Sequence, residues 1–466
     1  MTVSPTSSPT TVAIIRLGCA RNDVDADELA ANLTSGGFKV VDQGEEPGVV
    51  LVNTCGFIEA AKTESINEIL SWTESSNQHR SPKVVVTGCL AERYGAELEA
   101  LLPDVAAVIG FDGYHDIADR LTTVLAGGRL ASHQPVDRRL LAVTGAGSTD
   151  WPKWSPQSRR LLEPGPTASL KIAAGCDRRC AFCAIPSFRG SFRSRPASDI
   201  VAEARWLVEL GVKELFLVSE NSTSYGKDLP GQRLFERLLT QLSAIDGLER
   251  IRLSYLQPAE LREPLIEAMA ATPKVAPYFD LPFQHASAPL LRSMKRFGSA
   301  DSFLALIEQI RHYLPDAGLR SNFIVGFPGE TAADVETLKS FISLAGLDAI
   351  GVFPYSDEEG TVGASLPEHL DEAEIAQRSS EVAELADTVT AMRAEDRIGQ
   401  TVEALVTSVA PHYITAQAGQ QGPEDGACEL VSSGDWTIGQ MVRAQIIGTD
   451  GVDWRIESVK PAAVVA

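Results

Sequence analysis

SLKIAAGCDRRCAFC, Ser169 to Cys183, runs an apolar strand candidate straight into a loop holding three of the chain's seven cysteines. The spacing C-x3-C-x2-C lets one compact loop wrap Cys176, Cys180 and Cys183 around a corner of a metal centre. Structural zinc takes four ligands, and the following AIPSFRGSFRSR offers neither a histidine nor another cysteine. Three thiolates suit a 4Fe–4S cluster whose fourth iron stays open to a non-protein ligand. The alternative, three incidental cysteines, sits poorly with such clustering in a cysteine-poor chain.

Working outward, SLKIAAG opens a series of apolar runs continued by ELFLVSE, IRLSYLQ, APYFDLPF, RSNFIVGFP and AIGVFPYS. Helical stretches such as SDIVAEARWLVELG and SADSFLALIEQIRHYL separate them. Six β–α units predict a partial (β/α)6 barrel of the TIM kind over 168–398, with functional loops at the carboxyl ends of its strands. Its last part is a long polar helix candidate, Pro367 to Arg397. TVEALVTSV, YITAQAG, MVRAQIIGTD and WRIESVK then alternate with Gly-rich turns, predicting a small all-β barrel over 399–466. Upstream, TVAIIRLG, VVLVNTC, KVVVTGC and DVAAVIG alternate with helical candidates, the pattern of a doubly wound parallel sheet over 11–126. Residues 1–10 read as a disordered tail, and 127–167, rich in Gly, Pro and Trp, as a linker with a hairpin.

A second trio of cysteines emerges from that first sheet. Cys19, Cys55 and Cys89 each follow an apolar strand directly. Side chains just past the carboxyl ends of parallel strands converge on one crevice, so thiols more than thirty residues apart meet at one rim. Any one of them alone reads equally as a core residue. Cys428, in the terminal barrel, reads as structural or incidental.

Composition sets the surroundings. The chain has 466 residues and a net charge of −21, which argues against a general nucleic-acid binder and suits a basic protein partner. MTVSPTSSPT lacks the basic and apolar regions of a signal peptide, and no run approaches the about 18 apolar residues of a membrane span. An odd cysteine count without an export signal predicts a reducing cytoplasm.

CDRRCAFC resembles the signature of the radical S-adenosylmethionine (SAM) superfamily, with Phe182 as the aromatic before its last cysteine. The resemblance implies that SAM chelates the open iron and is cleaved to a 5′-deoxyadenosyl radical, so that no side chain serves as the catalytic group. It further implies Phe182 near the adenine, Glu220 toward the amino group of SAM, and Gly326 and Gly329 of IVGFPGE beside the adenine. In SENSTSYG, Glu220 and Asn221 stand where many relatives carry Gln and Asp. LGCARNDVD, NTCGF, TGC, RGSFRSRP, VGFPGET and the terminal barrel extend the likeness to the radical SAM methylthiotransferases. That family implies an auxiliary 4Fe–4S cluster at Cys19, Cys55 and Cys89, beside the cluster at Cys176, Cys180 and Cys183, and a C-terminal TRAM domain.

LGCARNDVDAD, YFDLPFQHAS and GVFPYSDEEGT resemble the branch acting on a ribosomal protein rather than the one acting on transfer-RNA isopentenyladenosine. This implies methylthiolation at the β-carbon of an aspartate in the small-subunit protein uS12, free or in the ribosome, with an external electron donor. From Gly399 to Ala466, eight Asp and Glu face three Lys and Arg, so RNA contact through this barrel is not expected, whereas a basic ribosomal protein is attracted. Glu424, Asp425 and Glu429 are expected together on an exposed Gly-rich loop. Arg189, Arg193 and Arg195 read either as carboxylate holders or as solvated loop residues. His285 reads as cavity-lining or structural, and Asp23, Asp25 and Asp27 as the acidic first turn of a helix. An iron–sulfur scaffold or electron carrier without SAM chemistry is the rival from another class.

Overall fold

The computed structural model describes residues 9–42, 44–74, 82–139, 151–431 and 434–459; the expected tail, apart from Pro9 and Thr10, lies outside them. The chain forms two compact units, one of residues 1–164, 173–178 and 184–203, the other of 165–172, 179–183 and 204–466.

In the first unit, β1 (Thr11–Arg16), α1 (Ala20–Ser35), β2 (Lys39–Val41), β3 (Val49–Thr54), α2 (Glu59–Glu74), β4 (Lys83–Gly88), α3 (Cys89–Leu101), β5 (Ala107–Val108) and α4 (Ile117–Leu125) follow one another. All pairings are parallel, in the order β2-β1-β3-β4-β5. The order reverses between β1 and β3, which makes the carboxyl ends of those strands the switch point where such sheets take ligands. Period-two alternation builds two cores. Val49, Leu51 and Val85 pack with Leu29, Leu33, Ile117 and Leu121 of α1 and α4. Val50, Val52, Val84 and Val86 pack with Ile69 and Leu98 of α2 and α3. Because both faces are covered, every residue of β3 is buried. β2, the three residues KVV, is not among the strands read from the sequence. The expected hairpin within 127–167 is not found among the described residues, which hold one 3-10 turn, Pro156–Ser158, before Thr167; residues 140–150 are not described.

β6 (Thr167–Lys171) belongs to the second unit. The hairpin of β7 (Ala173–Ala174) and β8 (Arg193–Ser194), with α5 (Ile185–Arg189) between them, belongs to the first. After α6 (Ala197–Glu209) come β9 (Glu214–Val218), α7 (Leu234–Ser243), β10 (Arg250–Leu253), α8 (Glu263–Ala271), β11 (Tyr278–Asp280), α9 (Ala288–Ser293), α10 (Ala300–Tyr313), β12 (Gly318–Val325), α11 (Ala332–Ala345) and β13 (Ala349–Pro354). Parallel ladders β6-β9-β10 and β11-β12-β13 are joined by backbone bonds from Ile251 N to Lys274 O and from Ala276 N to Ile251 O. The six strands thus follow chain order, as a partial (β/α)6 barrel requires.

α12 (Glu372–Glu395) is the long polar helix; the Asp371 carboxylate caps it by accepting from Glu374 N at 2.8 Å. β14 (Thr401–Ala410), β15 (Tyr413–Ala418), β16 (Cys428–Leu430), β17 (Met441–Asp450) and β18 (Asp453–Ser458) close into a barrel ordered β14-β15-β16-β18-β17. Val402, Ala404, Val406, Val442, Ala444, Ile446 and Trp454 fill it. Cys428 is fully buried there, with its Sγ 3.1 Å from Gln421 Oε1, and burial pushes its thiol up to about 12.

Buried charge fastens this barrel to the rest of its unit. Arg250 donates to Gln417 O at 2.8 Å and Arg252 to Gly419 O at 2.9 Å, while Glu214 accepts from both guanidinium groups. Asp425 accepts from Tyr278 Oη at 2.6 Å and pairs with Arg320 Nε at 3.2 Å. Asp425 is therefore buried, contrary to the expectation of an exposed acidic loop; Glu424 keeps the exposed position. The three acids do not form one surface, because Asp425 turns inward to Tyr278 and Arg320 while Glu429 lies on β16 rather than in a loop.

Candidate thiolate and cofactor sites

The first unit collects Cys19, Cys55 and Cys89 at the carboxyl edge of its sheet. Cys19 stands at the N-cap of α1, Cys55 directly follows β3, and Cys89 begins α3 after Gly88. Glycines make the close approach possible. A Cβ on Gly18, whose φ is +93°, would lie 2.7 Å from Cys55 Cβ and 2.8 Å from its Sγ. One on Gly56 would lie 2.7 Å from Leu90 N, beside Cys89. Asn22 Nδ2 donates to Leu17 O and Thr54 O, tying the loop after β1 to the end of β3. The hydroxyl of Ser65 bonds both backbone groups of Cys55 at 3.0 Å.

Arg189 enters this rim from α5. Its guanidinium donates to Asp25 Oδ2 at 2.7 Å, Asn22 Oδ1 at 2.8 Å and Cys89 Sγ at 3.1 Å. It also lies 4.5 Å above the Phe111 ring. Burial pushes the Cys55 thiol up and that of Cys89 up to about 12, an effect the nearby guanidinium opposes. The donor set is three sulfurs, the soft ligands that iron–sulfur clusters take. Among the described residues no group of His, Cys, Asp and Glu is arranged to hold one metal ion. A cluster does not ask for that, since each thiolate binds a different iron.

The signature loop is held from both sides of its length. In the first unit, Cys176 N donates to Gly190 O at 3.0 Å, and Asp177 Oδ1 accepts from Phe192 N at 2.9 Å. Gly175, at φ +75°, lies so close to Ser191 O that a Cβ would come within 2.2 Å of it. In the second unit, Ala181 N donates to Met294 O at 2.9 Å, Ala181 O accepts from Gly363 N at 2.6 Å, and Cys183 N donates to Cys180 O at 3.2 Å. Arg296 Nη1 lies 3.8 Å from Cys180 Sγ. Phe182 is half-buried beside them.

Glu220 is half-buried just past β9. Its neighbours Asn221 and Ser224 converge with Lys227 on Glu260, a polar cluster no local pattern discloses. Gly326 and Gly329 both have positive φ, and a Cβ on Gly326 would strike Ile375 at 2.7 Å. Glu330 accepts from Gly326 N at 2.9 Å and from Arg378 at 3.0 Å, which folds IVGFPGE back on itself. His285 is fully buried, its Nδ1 accepting from Ser287 N, and burial lowers its pKa to about 4, so the ring is neutral at physiological pH.

One loop reading and one helix reading need correcting. Arg189 and Arg195 are neither solvated nor free for a ligand carboxylate: both are buried, the first on Asp25 and the second on Glu203 at 2.7 Å. Asp25 and Asp27 are buried ion-pair partners rather than an acidic first turn, Asp27 holding Arg159 at 2.8 Å. Asp23 stays at the surface end of the helix, 3.7 Å from Arg16.

The parallel core with its cysteine loop after the first strand is that of the Radical SAM superfamily, whose family model matches residues 170–342. The model of Uncharacterized protein family UPF0004 matches residues 11–110. Likeness to solved structures shows the same fold: the radical S-adenosylmethionine methyltransferase TsrM from Kitasatospora setae aligns with a TM-score of 0.53 at 17% identity, over 74% of this chain and 73% of that one. Ribosomal protein uS12 methylthiotransferase RimO of Streptomyces coelicolor is 52% identical over 95% of both chains. That of Cutibacterium acnes is 52% identical over 95% of this chain and 97% of its own, and that of a Nocardioides species 53% over 97% of both. The chain belongs to the RimO family of ribosomal protein uS12 methylthiotransferases. Membership brings SAM and a 4Fe–4S cluster as the cofactors of a radical SAM enzyme.

Proposed function

We infer that this chain adds a methylthio group to the β-carbon of an aspartate in ribosomal protein uS12, using two 4Fe–4S clusters, one on each trio of cysteines. The observation that carries this reading is identity of about half over nearly the whole chain to proteins of that name, together with a three-cysteine rim at the switch point of the first sheet. When bound, SAM and the cluster at Cys176, Cys180 and Cys183 supply the radical that removes hydrogen from an unactivated C–H bond, which no side-chain base can deprotonate.

The protein's own part is to bind, orient and exclude water. Within the first unit a backbone bond from Cys176 N to Gly190 O holds the start of the signature loop, and within the second unit the bonds of Ala181 and Cys183 hold its end. Phe182 offers an apolar face to the adenine and Glu220 an acceptor for the amino group, while the turn held by Gly326 and Gly329 lets backbone approach a ligand. Cys19, Cys55 and Cys89 hold the second cluster on a rim already tied together by Asn22 and Ser65. An external one-electron donor is required, and work on a ribosomal protein places the enzyme in the cytoplasm. Among the described residues no helix is long and apolar enough to cross a membrane. Exposed Glu403, Glu424, Asp435 and Asp450 on the terminal barrel favour a basic protein over RNA. Mass spectrometry of small-subunit ribosomal proteins from cells with and without the gene tests the reading. One methylthio group on uS12, present only with the gene, is expected; an unmodified uS12 and a modified transfer RNA would overturn it.

A further inference from the structure

We propose that Arg189 is the positioning residue of the Cys19/Cys55/Cys89 site, holding the Cys89 sulfur by a charge-assisted hydrogen bond and thereby raising the reduction potential of a cluster bound there. The inference rests on the two-cluster reading above and extends it to a residue outside both cysteine trios.

The geometry is specific. One guanidinium nitrogen is shared between Cys89 Sγ at 3.1 Å and Asn22 Oδ1 at 2.8 Å, while the other is anchored on Asp25 Oδ2 at 2.7 Å. Asp25 is 1% exposed and Arg189 6%, so this pair is shielded from solvent and from salt. Phe111 supports the flat face of the guanidinium at 4.5 Å and is itself fixed, its backbone N donating to Glu92 at 2.8 Å. Only a planar fork reaches carboxylate, amide and sulfur at once; a lysine ammonium on a flexible stem would have to choose among them.

Hydrogen bonds to ligating sulfur and nearby positive charge are among the factors that set an iron–sulfur potential. Adding an electron makes a cluster more negative, and a buried cation on one of its thiolates stabilises that state. Asp25 offsets part of the charge but not the directed N–H···S contact. The same segment also serves the other trio, since Gly190, the residue after Arg189, accepts from Cys176 N at 3.0 Å. Its role is therefore one of placement and electrostatics rather than contact with substrate.

The test uses full-length protein reconstituted anaerobically with Cys176, Cys180 and Cys183 replaced by Ala, so that one cluster remains. Its midpoint potential is read by redox titration with electron paramagnetic resonance, and iron is counted in parallel. Arg189→Met is expected to lower the reduction equilibrium at least about tenfold, about 59 mV for one electron, with Arg189→Lys falling between it and the parent. If Arg189→Met loses iron or fold, Arg189→Lys decides: a negative shift supports the proposal and a potential equal to the parent overturns it. Unchanged potentials in iron-loaded variants sink this inference alone. A parent protein without iron sinks the two-cluster reading, and the inference with it.

Discussion

Replacing Asp425 with Ala should destabilise the protein far more than any other acid of the terminal barrel. The carboxylate accepts from Tyr278 Oη at 2.6 Å and pairs with Arg320 Nε at 3.2 Å, and its side chain is 5% exposed. Losing a hydrogen bond to a charged acceptor costs about 1.5–3 kcal/mol, and stranding the partner of a buried ion pair about 3–5 kcal/mol. These overlap, since one carboxylate does both. Arg320 is 21% exposed and has Glu424 at 3.8 Å, so water and a second carboxylate recover part of the loss. The expected net cost is about 3 kcal/mol. Asp425→Asn keeps an acceptor and should cost about half as much. The double change Arg320→Met with Asp425→Ala should recover stability, because the stranded cation is gone. Glu429→Lys, which breaks only the exposed pair with Arg455, should cost about 0–1 kcal/mol. Urea unfolding of the full chain, followed by tryptophan fluorescence with Trp454 buried in the barrel, measures the series. An Asp425→Ala variant within about 0.5 kcal/mol of wild type would mean that Tyr278 and Arg320 do not depend on this carboxylate.

The remaining predictions concern the thiols and their supports. Alanine at Cys176, Cys180 and Cys183 should leave about half the iron and abolish 5′-deoxyadenosine formation, whereas alanine at Cys19, Cys55 and Cys89 should leave about half the iron with some cleavage and no methylthio transfer. Iron and product assays decide, and 5′-deoxyadenosine from the first variant would exclude the radical SAM role of that trio. Gly18→Ala places a Cβ 2.7 Å from that of Cys55 at φ +93°, so it should cost about 1–3 kcal/mol and reduce iron at the Cys19/Cys55/Cys89 site selectively. For Cys428 the folded thiol is raised to about 12 from 9.0, so the protonated form is the one the fold prefers. Its contribution is complete below pH 9 and is lost at roughly 1.4 kcal/mol per pH unit as pH rises toward 12. Comparing alkaline denaturation of wild type and Cys428→Ala isolates that slope, and identical curves would contradict it.

Much of this protein is written in short-range pattern. Val49 to Thr54 and Lys83 to Gly88 announce buried strands by their unbroken apolar runs, and the cysteine after each follows from chain order alone. The convergence of Cys19, Cys55 and Cys89 was legible because parallel topology sends successive strand ends to one rim. The six parallel strands of the second unit and four of its five barrel strands announce themselves in the same way. β2 and β16 do not, because KVV and CEL lack the longer apolar surroundings that mark β5 in DVAAVIG and β11 in APYFDLPF.

Charge is where tertiary structure decided. Asp25 and Arg189 lie 164 positions apart, Asp27 and Arg159 132, and Tyr278 and Asp425 147. Read locally, each is an ordinary polar residue of a helix turn or loop. A buried charge is tolerable only when a partner arrives with it, and that partner comes from a distant segment which only the folded chain brings near. Local pattern therefore carries most of the strands, and parallel topology the meeting of Cys19, Cys55 and Cys89 at one rim. Folding alone decided which carboxylates and guanidinium groups went inside, and of the three pairs it is Asp25 with Arg189 that reaches a thiol, at Cys89.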